Sequence, residues 1–158
     1  MPFSDPDVGL DLGGIAKGYA VDRAAEAMRA SGVRDGLVKA GGDLVALGRS
    51  ERDEPWRIGV RDPNSPDGIV SEFDLSDGAA ATSGDYERFF DHGGRRYHHI
   101  LDSDTAAPRR ALFHGVTVTA GTCIEADASA TAAFGRARPA AEAMVARRGG
   151  GVRVVAVV

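Results

Sequence analysis

Aromatic residues make up only 6% of this 158-residue chain, so there is little side-chain surface on which a planar ligand could stack. Cysteine is nearly absent. The single Cys123 excludes an internal disulfide, leaves the redox compartment open and reads most simply as a small core residue. There is no surplus of positive charge: 19 Lys and Arg face 23 Asp and Glu, a net charge of −4, which argues against nucleic acid as a partner. No run approaches the roughly 20 apolar residues that span a bilayer. The opening Met1-Pro2-Phe3-Ser4-Asp5-Pro6-Asp7 lacks the basic and apolar regions of a signal peptide. The expectation is a cytoplasmic protein without a membrane segment. With no tandem repeat and no splitting linker, residues 1–158 are expected to form a single domain.

What the chain does have is glycine, 21 of them, and long alanine runs. Leu10-Asp11-Leu12 reads as a strand end, Gly13-Gly14 as a turn, and Ile15 to Ala30 as a helix stopped by Gly32. Leu37–Ala40 and Leu44–Leu47 read as strands around Gly41-Gly42-Asp43, a hairpin signal in which Asp43 is expected to bond its own backbone. Strands are expected at Trp56–Arg61 and Ile69–Leu75, followed by a turn at Asp77-Gly78. A hairpin is expected from Tyr86–Phe90 and Arg96–Leu101 across Asp91-His92-Gly93-Gly94. Val116–Thr119 is a further strand, Ala126–Phe134 and Pro139–Arg147 are helices, and Val152–Val158 closes the chain as a strand. Hairpins of mostly antiparallel strands flanked by helices make an α+β fold.

Three groups of residues offer chemistry. In Asp11-Leu-Gly-Gly-Ile-Ala-Lys-Gly18 a carboxylate, two glycines and a helix start carrying Lys17 suit an anion, although the spacing is not that of a P-loop and an ordinary glycine turn has the same look. Asp127 and Thr131, four apart on one helix face, offer two hard oxygens to a cation such as Mg²⁺; the plainer reading is an acidic first turn with a threonine bonded back to the helix. His98 and His99 are neighbours on a strand, so only one can face a given site, where it would serve as a general base. No second His or Cys cluster at ligand spacing makes this pair a zinc site.

In this order, these stretches resemble the FAD:protein FMN transferases of the ApbE type, once described as thiamine-biosynthesis lipoproteins. The resemblance rests on Asp11–Asp22, Gly41-Gly-Asp-Leu44, Trp56–Val60, Ala81-Thr-Ser-Gly-Asp-Tyr-Glu-Arg88, Arg96-Tyr-His-His-Ile-Leu-Asp102, Gly115–Val118 and Ala126-Asp-Ala-Ser-Ala-Thr131. It implies a magnesium-dependent transfer of FMN from FAD to a Thr or Ser hydroxyl of an acceptor flavoprotein. Asp11, Lys17 and Leu101 would then contact the cofactor. Gly14, Asp127, Thr131 and Ala130 would hold Mg²⁺, and His99 would be catalytic. The alternatives are an FAD pyrophosphatase using water as acceptor and a non-catalytic flavin-binding module.

Two departures stand out. The family's usual Asp-Pro-x-Thr-Gly-x-Pro reads here Asp102-Ser-Asp-Thr-Ala-Ala-Pro108, with Ser103 for Pro and Ala106 for Gly. Family members also carry a comparable stretch before the point where this resemblance starts. This chain alone is therefore expected to bind FAD weakly and transfer FMN poorly, and an exposed edge is expected to favour a homodimer.

Overall fold

Gly18, Val21 and Ala25 recur at helical spacing, and such a stripe of small residues buries itself only if another element comes very close. The structure, a computed structural model, describes residues 7–65, 67–147, 149 and 151–155. All three of these residues are buried along α1 (Ala16–Ala30). The helix ends as expected: Gly32 has φ +87°, its N–H donates to the Arg29 carbonyl, and Val33 N–H donates to the Met28 carbonyl, each at 3.0 Å. These paired bonds satisfy the last carbonyls of a helix around a left-handed glycine. The strand end expected at Leu10–Leu12 does not form. Val8, Leu10 and Leu12 are exposed in irregular backbone, and among the described residues no strand pairs with them. Alternating apolar residues make a strand only where a neighbour takes their backbone groups.

β1 (Gly36–Ala40) and β2 (Asp43–Leu47) form the expected hairpin, with Ala40 opposite Asp43 and Gly41 at φ +59°. β3 (Trp56–Arg61) and β4 (Ile69–Leu75) pair as a second hairpin. β5 (Gly78–Gly84) is a strand where the sequence suggested only a turn and a polar motif. β6 (Phe89–His92) and β7 (Arg95–His98) turn on Gly93-Gly94 alone, because Asp91 and His92 already pair with Arg96 and Arg95. Both expected strands of that hairpin are correspondingly displaced. β8 (Gly115–Ala120) leads into α2 (Cys123–Ala133), which begins earlier than expected because Thr122 caps it by accepting the Glu125 N–H. α3 (Arg138–Ala146) carries Pro139 in its first turn, and β9 (Gly151–Val155) follows. Residues 156–158, expected to extend the last strand, lie outside the described residues.

The strands β1-β2-β5-β8-β9 form one antiparallel sheet. Strand alternation sends Val45, Leu47, Ala79, Ala81, Val116 and Val118 to one face, where they pack against buried residues of the three helices. Leu44 and Ala80 point the other way and pack under Ile58, Val60 and Phe73 of the β3–β4 hairpin. The chain is thus an α+β fold of helices, sheet and hairpin in three layers. β2 begins and β5 ends at the same end of the sheet, beside the first turn of α1 and the Asp127–Thr131 stretch of α2.

The two helices α1 and α2 come into backbone contact at Gly18. A Cβ there would lie 2.5 Å from the Cys123 carbonyl oxygen and 2.8 Å from the Ile124 Cα, both backbone atoms that cannot swing away. Helix propensity alone favours alanine over glycine by about 1 kcal/mol, but overpacking of this kind costs about 1–3 kcal/mol or more. Gly18→Ala should therefore lower stability by about 2 kcal/mol in denaturant unfolding. A variant as stable as the parent would show that the two helices do not meet so closely.

Candidate functional site

The start of α1 lacks a side-chain cap of its own: its N-cap residue is Ile15. The backbone N–H of Gly18 donates instead to Oδ2 of Asp127 on α2, at 3.0 Å. The arrangement is reciprocal. Asp22 of α1 accepts the N–H groups of Cys123 and Ile124 at the start of α2, at 2.8 and 2.9 Å. Each helix therefore supplies the carboxylate that satisfies the other's free amides, where the helix dipole favours negative charge. Several amides of the expected anion site are already taken: Gly13 N–H by Asp11, Ile15 and Ala16 by the Leu12 carbonyl, and Gly18 by Asp127. Asp11 itself is exposed and shapes the turn before α1, its Oδ1 2.6 Å from the Gly13 nitrogen.

Lys17 leaves the first turn of α1 and donates to Oδ2 of Asp43 at 2.6 Å; its Nζ lies 3.9 Å from Oδ1 of Asp127. Asp43 is the first residue of β2, on the same face as Val45 and Leu47, and is 0% exposed. Its expected turn role is replaced by this ion pair. Burial pushes its carboxyl up to about 6, the Lys17 hydrogen bond opposing and the facing Asp127 adding to the rise. Its Oδ1 is buried with no hydrogen-bond partner. Lys17 is 44% exposed in its side chain, whereas Asp127 is buried, so the ammonium stands between the cluster and solvent.

On the next turn of α2, Thr131 Oγ1 lies 3.1 Å from Ser83 Oγ at the end of β5. A Cβ on Gly14 would touch the Thr131 side chain at 3.4 Å, so the Gly14 backbone packs directly against it. Ala130 is fully buried in the core, and its carbonyl accepts the Phe134 N–H at 3.0 Å, holding the last turn of the helix. The oxygens of Asp127, Thr131 and Gly14 are hard donors of the kind Mg²⁺ prefers. Two carboxylates face one ammonium, and one carboxylate oxygen has no partner, so the cluster fits a cation. Among the described residues no three His, Cys, Asp or Glu side chains group as metal ligands, so an ion here would rest on one or two carboxylates, neutral oxygens and water.

The two histidines part company. His98 is buried and edge-on to Phe134; Nε2–H donates to the Arg109 carbonyl at 3.0 Å and Nδ1 accepts the Ile100 N–H at 3.3 Å. Both nitrogens are occupied in one neutral tautomer, and burial pushes the pKa down. His99 is exposed; its Nδ1–H donates to the Arg88 carbonyl at 3.3 Å, which leaves the Nε2 lone pair as the acceptor. Both histidines reach an open groove of about 390 Å³, lined also by Leu101, Phe89, Phe90, Tyr97 and Pro108. This groove is separate from the Lys17–Asp43–Asp127 cluster: none of the cluster's residues line it. Sequence reasoning missed Asp22 and Ser83, whose partners lie far along the chain. It also missed the pair formed by His114, whose Nδ1–H donates to Asp85 at 2.8 Å.

Despite its substitutions, the loop after Leu101 is closed. Asp102 N–H donates to the Ala107 carbonyl at 2.8 Å, and Asp102 Oδ1 accepts the N–H groups of Asp104 and Thr105, both at 3.1 Å. Those backbone bonds hold the Asp102 carboxyl below the usual range. Ala106, one of the loop's two departures from the resemblance, sits at φ +53°. The left-handed region costs a non-glycine residue about 1–2 kcal/mol, against which glycine loses about 0.5–1 kcal/mol of unfolded-chain entropy. Ala106→Gly should therefore stabilise by about 0.5–1 kcal/mol in urea unfolding; a loss of stability would show that the loop is not left-handed there.

A sequence model described as the ApbE family matches residues 1–156. The chain is 45% identical over 130 residues to the FAD:protein FMN transferase of Rhodobacter capsulatus, covering 82% of this chain and 24% of that protein. It is 39% identical over 137 residues to the FAD:protein FMN transferase of Treponema pallidum, covering 79% of this chain and 37% of that protein. Its backbone superposes on the crystal structure of the ApbE protein from Thermotoga maritima with a TM-score of 0.85 and 42% identity, over 92% of this chain and 48% of that one. For the flavin transferase ApbE from Vibrio cholerae the TM-score is 0.78 at 31% identity, over 93% and 47%. The chain spans well under half of the curated relatives' length and about half of these solved chains. Likeness in sequence and in backbone runs along nearly all of its residues, and on that ground the chain belongs to the ApbE family.

Proposed function

We propose that this domain is the diphosphate-and-cation half of an FAD:protein FMN transferase. The observation that carries the reading is the buried cluster in which Asp43 and Asp127 face the single ammonium of Lys17 beside Thr131 and the Gly14 backbone. A cluster with excess negative charge and an unpaired buried oxygen calls for a cation, and a cation beside an ammonium suits a diphosphate. The activity for which the relatives are named supplies the reaction class.

On this reading, Asp127, Thr131 and the Gly14 carbonyl would hold Mg²⁺, which would neutralise the diphosphate charge when bound. Ala130 contributes at most its carbonyl's second lone pair. Lys17 and the turn at Asp11 orient the diphosphate, and Leu101 contacts the cofactor from the groove. The Nε2 lone pair of His99 takes the proton from a Thr or Ser hydroxyl of the acceptor protein. The hydroxyl oxygen attacks the FMN-side phosphorus, the bond from that phosphorus to the bridging oxygen breaks, and AMP leaves with the bridging oxygen. Exposure of His99 favours one second reading: with no acceptor seated, water takes the hydroxyl's place and FMN is released free.

The test separates the histidines in the protein at its natural length, with FAD, Mg²⁺ and an acceptor protein. Covalent flavin on the acceptor is read by in-gel fluorescence, and AMP and free FMN by chromatography. His99→Ala should lower transfer by about 10²–10⁴-fold, the usual worth of a positioned base. His98→Gln should keep most of the transfer rate while lowering the melting temperature, since it disturbs two buried hydrogen bonds. The reverse pattern would move the base to His98. Free FMN without flavinylated acceptor would favour the hydrolytic reading.

A further inference from the structure

Asp43 is poorly explained as a structural residue. The β1–β2 hairpin is closed by backbone pairing between Ala40 and Asp43 and by the two glycines, none of which needs the carboxylate. The side chain is fully buried and one of its oxygens makes no hydrogen bond. Buried charges paired on one side only are commonly neutral or costly to stability. What the carboxylate does is hold Lys17: its Oδ2 is 2.6 Å from Nζ, while Asp127 Oδ1 stands 3.9 Å from the same nitrogen. The other Asp127 oxygen is committed to the Gly18 amide. Oδ1 is therefore the Asp127 oxygen left for a cation, and it is also the one Lys17 would take if nothing held the ammonium elsewhere.

We propose that Asp43 is a positioning residue that draws the Lys17 ammonium off Asp127 Oδ1, leaving this oxygen open to a divalent cation and the ammonium at the mouth of the site for a diphosphate. The inference rests on the reading of the cluster as a cation site. A carboxylate that orients a neighbour of a metal ligand typically changes metal affinity by about 10–100-fold when lost.

The experiment uses Mn²⁺ alone as the probe, without FAD, on the full chain, with bound and free ion counted by electron paramagnetic resonance. Asp43→Asn should weaken Mn²⁺ binding by about tenfold or more with the melting temperature unchanged or raised, and Asp43→Ala should act in the same direction. In a crystal structure of the metal-free Asp43→Asn protein, Lys17 Nζ should have closed on Asp127 Oδ1 to about 2.8 Å, an ordinary charge-assisted distance. Adding Lys17→Met to Asp43→Asn should restore Mn²⁺ affinity to within about twofold of the parent. Unchanged Mn²⁺ affinity in Asp43→Asn, a Lys17 that stays away from Asp127, or a double variant no better than the single one would each overturn the inference. If the parent protein binds no Mn²⁺, or binds it equally well after Asp127→Ala, the cation reading itself fails and takes the inference with it.

Discussion

The exchange of carboxylates between α1 and α2 is the constraint on which the rest of the molecule depends. A helix start leaves backbone amides without partners, and α1 has only Ile15 at its cap. Asp127 and Asp22 supply the missing acceptors across the helix pair. Hydrogen bonds to a charged partner contribute about 1.5–3 kcal/mol each. They require the helices to cross at near contact, which the missing side chain of Gly18 permits. Asp127 thereby spends one oxygen on the fold and keeps the other beside Lys17. Stability and the proposed chemistry draw on the same residue, so its orientation is fixed before any ligand arrives.

The sheet carries this arrangement to the right place. Its central strand β5 is built from Gly, Ala, Thr and Ser, and its buried Ala79 and Ala81 leave room for α2 to lie close. Close packing sets Ser83 against Thr131 and brings the start of β2, with Asp43, under the first turn of α1. The β3–β4 hairpin covers the opposite face with Ile58, Val60 and Phe73, so the sheet is supported from both sides while one end stays polar. The His99 groove is built separately, on the β6–β7 hairpin, where Phe90 stacks on Tyr97 at 5.1 Å.

Much of this was legible in the sequence. The α+β class, the first helix with its Gly32 stop, the β1–β2 hairpin and the strands β3 and β4 follow from periodicity and turn chemistry. β5 was hidden because alanine and glycine carry little strand propensity; small residues are there for the helix that packs on them. The strand expected at Leu10–Leu12 has the right alternation but no neighbour among the described residues. The Gly-Gly-Asp spacing marks Asp43 as a turn residue, whereas its alternation with Val45 and Leu47 places it on the buried face. Asp22 gave no local signal at all, since its partners Cys123 and Ile124 lie a hundred positions away.

Hydrogen exchange tests the reciprocal caps most directly. Amides in the first turn of a helix ordinarily exchange quickly, because nothing within the helix accepts them. Native-state exchange followed by NMR should find the Gly18, Cys123 and Ile124 amides protected to nearly the same degree as the core of β5 and β8. Asp127→Ala should release Gly18, and Asp22→Ala should release Cys123 and Ile124. Rapid exchange at all three amides in the parent protein would contradict the account, because the helices would then be held by packing alone and Asp127 would owe its orientation to nothing in the fold.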